Sequence, residues 1–283
     1  MNIFQIYYAE RQLIAIEKGF KPFDNTKNPK PEWREYYVFR EAYQKGLMQD
    51  DLTGFLSWKF SAKTYISGDQ FINFINDKPG ADVYLINPFQ EEADLYLNCW
   101  IQGERYHPGI LALAQELFDK IGHKLSLTNL VMPSEKTLYC NFFVATQNFW
   151  NRYIEFCDPF YQLIQSDLEN PFFNKSADKL IDADYRVFIF ERLFSSFLIL
   201  NPDIHFESYD YSQSQLESRY GDITPIMLKA RNLKSQLSQK FEIFHFEEFK
   251  KISQEALNKR TYGSNSAWWR RKLQWIKPYL FTK

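Results

Sequence analysis

The run DLTGFLSWKF (51–60) is apolar from 52 to 58 and then ends on Ser57, Trp58 and Lys59, an indole followed by an ammonium. A lysine at the end of a buried strand can stabilise anionic oxygen, and an indole beside it can stack on a sugar or a base. The simpler expectation is that Trp58 caps the core and Lys59 points to water. Two further stretches carry related chemistry. The loop KPFDNTKNPKPEWRE (21–35) is polar, proline-rich and long for a connector, and it offers Asp24 and Asn25 to a base or ribose and Arg34 to a phosphate. The segment DADYRVFIFERLFSSFLIL (182–200) is apolar on most sides yet carries Arg186, Glu191 and Arg192. Charges on such a helix must pair or face a polar cavity. In a cavity, Glu191 suits a general base and an arginine can grip phosphate bidentately; a structural Glu191–arginine pair is the competing expectation.

Several familiar chemistries find no support. The chain holds no G-x-G-x-x-G, no Walker sequence and no G-x-S-x-G. His107, His123, His205 and His245 lack zinc-type spacing, and Cys99, Cys140 and Cys157 are an odd set that reads as buried thiols in a reducing compartment. The literal D-x-D at 182–184 suits a divalent metal carrying a nucleotide diphosphate, but it also opens a long helix, where acids offset the positive end of the dipole.

The elements that must position these residues alternate. Strands are expected at 2–8, 52–58, 82–86 and 137–146, and helices at 31–46, 67–80, 107–122, 147–165, 183–200, 225–239 and 246–260. This spacing predicts an α/β protein with a parallel or mixed sheet covered on both faces. Such sheets bind ligands beyond the carboxyl ends of their strands, which directs attention to Ser57-Trp58-Lys59, to Asn87-Pro88-Phe89 and to the 21–35 loop. The formal net charge of −1 excludes a global field for nucleic acid. With no secretory leader pattern and no run of 18 apolar residues, a cytosolic location is expected.

In order and spacing, FKPFDNTKNPKPEWREYYVFREAYQKGLMQDDLTGFLSWKF, CNFFVATQNFWNRYIEFCDPFYQLI and YRVFIFERLFSSFL resemble bacterial glycosyltransferases of capsule and lipopolysaccharide clusters. The resemblance spans roughly residues 2 to 200. It implies a GT-A-like, Rossmann-like mixed sheet flanked by helices over 1–200, with 201–283 as a helical C-terminal extension of the same compact domain. It also implies transfer of a sugar from a nucleotide-sugar donor to a surface polysaccharide or lipopolysaccharide, as a glycan or lipid-linked acceptor. By it, Asp24 and Asn25 match the family's polar loop, Trp58 and Lys59 its strand-end cluster, Asn141 its asparagine strand, and Glu191 and Arg192 its E-R-L helix. Arg34, Ser57, Asn87 and Arg186 complete the expected donor site, and His107 joins Glu191 as a catalytic candidate. The second strand end reads INPFQEE in place of D-x-D, which leaves dependence on manganese or magnesium open. A non-catalytic carbohydrate-binding or assembly protein of the same fold is the alternative. The tail 259–283 has seven Lys or Arg, no acidic residue, and Trp268, Trp269 and Trp275 among them. That pattern predicts a peripheral contact with an anionic membrane surface at its inner face rather than with nucleic acid.

Overall fold

The computed structural model describes residues 1–174, 176, 177 and 183–263, for the last three the backbone alone. Asp182 of the D-x-D and residues 264–283 of the basic tail lie outside the described residues.

Six strands form one mixed sheet: β1 (Asn2–Tyr7), β2 (Lys21–Asp24), β3 (Thr53–Ser57), β4 (Val83–Leu85), β5 (Phe143–Ala145) and β6 (Phe206–Ser208), in the order β2-β1-β3-β5-β4-β6. All run the same way except β5, which is antiparallel to both of its neighbours. The helices are α1 (Arg34–Gln44), α2 (Phe60–Thr64), α3 (Gly68–Asp77), α4 (Gln90–Leu95), α5 (Cys99–Tyr106), α6 (Ile110–Ile121), α7 (Gln147–Ser166), α8 (Pro171–Asn174), α9 (Tyr185–Leu200), α10 (Gln213–Tyr220), α11 (Thr224–Gln239) and α12 (Ile243–Gly263). None is long and apolar enough to cross a membrane among the described residues.

The period-2 alternation of the strands builds two cores. Ile6, Phe55, Val83, Leu85, Phe143 and Ala145 face α1, α5, α6, α7 and α9. Ile3, Leu56, Tyr84, Ile86, Phe142 and Val144 face α2, α3, α10, α11 and α12. Local signals set the helix starts: Ser67 accepts from the Gln70 N–H at α3, Thr146 from Phe149 at α7, and Asp184 from Arg186 at α9. Asp184 of the D-x-D is thus a helix cap. Gly54 on β3 stands where a Cβ would come within 2.8 Å of the Phe143 carbonyl oxygen, so its lack of a side chain lets β5 approach.

The structure departs from the sequence expectation in three places. The run 137–146 is extended only over β5, because Cys140 (φ 68°) and Asn141 (φ 53°) are both left-handed and break the strand into a corner. The polar 21–35 loop begins as an edge strand, β2. The segment after 200 is not helical throughout, since β6 adds a strand beside β4.

All six residues of α4 are buried, Glu91, Glu92 and Asp94 among them. Arg231 of α11 donates to both oxygens of Asp94 at 3.0 and 3.1 Å and to Gln90 Oε1 at 3.0 Å. Arg260 of α12 meets Glu92 at 2.6 Å. Lys234 Nζ caps the helix by donating to the Ala93 and Tyr96 carbonyls. Burial raises the Asp94 carboxyl above its usual range despite the nearby Arg231. Replacing Arg231 with methionine leaves that carboxylate buried without its guanidinium, so we expect a loss of about 3–5 kcal/mol in denaturant unfolding at neutral pH. A group whose folded pKa is raised favours the fold more as pH falls, so the deficit of Arg231→Met should shrink on acidification.

Candidate functional site at the carboxyl edge of the sheet

The backbone carries the strand ends just past the sheet before releasing them. The Trp58 N–H donates to the Ile6 carbonyl at 2.9 Å, and the Asn25 N–H to the Tyr7 carbonyl at 3.0 Å. Trp58, Lys59, Tyr8 and Asn25 are therefore delivered side by side beyond β1, β2 and β3. The β5 corner enters from the opposite direction, so Cys140 and Asn141 reach the same edge.

Two lysines organise this edge. Lys59 precedes α2, its N–H donates to Ser57 Oγ at 3.3 Å, and its Nζ lies 5.2 Å over the buried Trp58 ring. Burial first, and then the charge of Lys63, push the Lys59 ammonium down to about 8. Lys63 follows four residues later, the spacing that stacks side chains on one helical face. Its Nζ donates to Cys140 Sγ at 2.9 Å and sits 5.9 Å from both the Phe89 and Phe142 rings. Burial opposes the charge on Lys63, but Cys140, Glu191 and Glu35 outweigh it and hold the group above its ordinary value. Burial drives the Cys140 thiol up to about 12.

Two carboxylates flank the lysines. Glu191 Oε1 accepts from the Cys140 N–H at 2.7 Å and so steadies the left-handed corner, while Oε2 lies 3.7 Å from Arg192 Nη1. Glu35 accepts from the Tyr8 hydroxyl at 3.2 Å. Arg34 takes the positive φ of 47°, and its charge is felt at Lys59. Lys59, Lys63 and Arg34 thus share the edge with Glu35 and Glu191. Three buried polar atoms there have no hydrogen-bond partner among the described residues: Asn141 Oδ1, the Tyr139 hydroxyl and Asn25 Nδ2. Groups of this kind carry a desolvation cost that a polar ligand would relieve.

Of the residues singled out from sequence, Asn25, Arg34, Ser57, Trp58, Lys59, Asn141 and Glu191 gather at this edge. Asp24 holds the Thr26 N–H and hydroxyl at 2.9 and 2.7 Å, which lowers its carboxyl pKa. Asn87 folds back on Phe89, accepting from its N–H at 3.0 Å. Arg192 is turned inward, donating to the Cys99 and Phe188 carbonyls and to Gln102, and it joins α5 to α9. Arg186 pairs with its own cap Asp184 and lies 5.3 Å from the Trp33 ring. His107 stacks on Phe188 at 3.6 Å, with Nδ1 3.3 Å from the Ala177 carbonyl oxygen. Lys63, Cys140, Tyr8 and Glu35 were not anticipated. Reading WKFSAK as the start of a helix, with lysines at i and i+4, would have found Lys63.

The acids of INPFQEE do not form a metal set. Glu92 is taken by Arg260, and Glu91 faces Tyr220 and Arg219. Among the described residues no three His, Cys, Asp or Glu side chains gather to hold an ion.

No family model, curated protein or solved structure matches the chain.

The lysine pair makes its own prediction. Amine acylation followed by mass spectrometry should show Lys59 reaching half its maximal rate near pH 8, while exposed lysines do so near ~10.4. Lys63→Met removes a neighbouring positive charge, so the Lys59 midpoint should move upward. An unchanged midpoint would mean that the two ammonium groups do not sense each other.

Proposed function

We propose that this edge binds the diphosphate of a nucleotide-activated sugar and that the protein is a GT-A-like glycosyltransferase acting on a surface polysaccharide or lipopolysaccharide acceptor. The observation that carries the reading is the convergence of Lys59, Lys63 and Arg34 where β1 and β3 end. A diphosphate needs clustered positive charge.

In the reaction the acceptor hydroxyl oxygen bonds to the anomeric carbon as the bond from that carbon to the diphosphate breaks. The bonding pair leaves on the phosphate oxygen, where the lysine ammonium groups stabilise it. The hydroxyl proton passes to a carboxylate. Glu191 is assigned this role because its Oε1 is held by the Cys140 N–H while its Oε2, 3.7 Å from Arg192 Nη1, accepts no hydrogen bond among the described residues. No step is routed through a metal, since the carboxylates of the second strand end are engaged by arginines or packed against them. One observation favours the alternative of a binding protein without turnover: a carboxylate that supports a strained corner, with Arg192 beside it, also suits a purely structural acid.

Calorimetric titration with nucleoside diphosphates and a panel of nucleotide sugars separates these readings. Lys59→Ala and Lys63→Ala should each weaken binding about tenfold or more, the loss expected for one charge-assisted contact. Glu191→Gln keeps an acceptor for the Cys140 N–H but removes the basicity, so transfer should stop while nucleotide affinity and Tm hold. Undiminished affinity in both lysine variants would overturn the site. A lowered Tm with intact turnover in Glu191→Gln would return that residue to a structural role.

A further inference from the structure

Away from the lysine edge, a groove of about 590 Å³ runs between the end of α4 and the outer face of α12. Its walls are apolar, with Leu95, Tyr96, Leu97 and Ile101 on one side and Phe249 and Leu257 on the other. Ser253 also lines it, with its hydroxyl buried and without a hydrogen-bond partner among the described residues. Phe246 also lines the groove, and its ring lies 5.3 Å from that of Phe241 at the turn between α11 and α12. The apolar surface therefore continues out of the groove onto the tip of the α11–α12 hairpin. There Phe241, Ile243 and Phe244 are 57 %, 66 % and 72 % exposed. Large side chains exposed together in this way mark a surface that is covered in use.

We propose that the hairpin tip and groove dock on an anionic lipid bilayer, with the tip in the interface and one acyl chain rising into the groove. Three features select a lipid. A hydrocarbon chain needs no hydrogen-bond partners, whereas a bound peptide would bring backbone N–H and C=O groups into a groove whose walls carry only the Tyr96 and Ser253 hydroxyls besides its rim groups. The other polar side chains on the groove are rim groups already engaged, Glu247 with Lys250 at 3.1 Å and Gln254 with Asn258 at 2.8 Å. Lys251, also on the rim, is exposed and forms no ion pair among the described residues, so it is placed to meet an anionic headgroup. The surface uses other residues than the basic stretch 259–283 and does not depend on the catalytic reading.

The test is co-sedimentation of the full-length protein with neutral phosphatidylcholine vesicles and with vesicles that also contain phosphatidylglycerol. Binding to the anionic vesicles should persist in about 0.5 M salt, where screening leaves little long-range attraction and apolar insertion remains. The tip variant Phe241→Ser/Ile243→Ser/Phe244→Ser should lose about tenfold or more in partitioning while its Tm and nucleotide affinity are kept. Lys251→Glu should reduce the preference for anionic over neutral vesicles with the tip intact. Equal partitioning of the tip variant and the native protein overturns the proposal and leaves membrane contact to other residues. A native protein that is dimeric, becomes monomeric in the tip variant and ignores vesicles overturns it in favour of a second copy of this chain.

Discussion

The constraint on which the rest depends is the burial of a charged helix. Asp94 is fully buried, and α4 carries Glu91 and Glu92 inside the protein beside it. Carboxylates in such a place are tolerable only when cations reach them, and here the cations come from elsewhere in the chain, Arg231 and Lys234 on α11 and Arg260 on α12. The C-terminal helices are thereby committed to the sheet through ion pairs and carbonyl caps as well as through the apolar face they cover. An all-apolar α4 would pack with less demand on register. The paired version accepts one docking geometry, because a guanidinium displaced by a single turn would leave a carboxylate alone in the core.

That docking extends to the candidate site. Arg219 on α10 donates to the carbonyls of Lys63, Thr64 and Pro88, and three tyrosine rings surround its guanidinium. One side chain from the C-terminal part thus fixes both the end of α2, which presents Lys63, and the loop after β4, which presents Phe89. From the other side of the sheet, α9 contributes Glu191 to the β5 corner. The edge is assembled from both helical layers, with the strands supplying only the ends between them. Its left-handed Cys140 and Asn141 resemble the strained positions that proteins retain where geometry is needed for function.

The alternation of strand and helix along the chain was sufficient to read an α/β protein, and the rule that ligands lie beyond strand ends was sufficient to select Trp58 and Lys59. These features depend on local periodicity, which survives in sequence. Three others do not. β2 and β6 are short edge strands whose pairing is decided by neighbours far along the chain, and no pattern of their own announces them. The shortening of the 137–146 run to β5 follows from a corner made by two non-glycine residues at positive φ, which residue type does not reveal. The division between arginines was also illegible: Arg34, on a proline-rich loop, reaches the edge, while Arg192, beside Glu191, is consumed by helix packing. Both are arginines near acids in the sequence, and only the direction of the helix face separates them.

The ion pairs of α4 also set a schedule. Asp94 and Arg231 are 137 residues apart, and Lys234 reaches carbonyls a similar distance back along the chain. A ribosome adding 5–20 residues each second completes that interval in on the order of ten seconds. During this time the nascent sheet has one face uncovered and a helix of acids without their cations. The second core can therefore close only after the last helices have emerged.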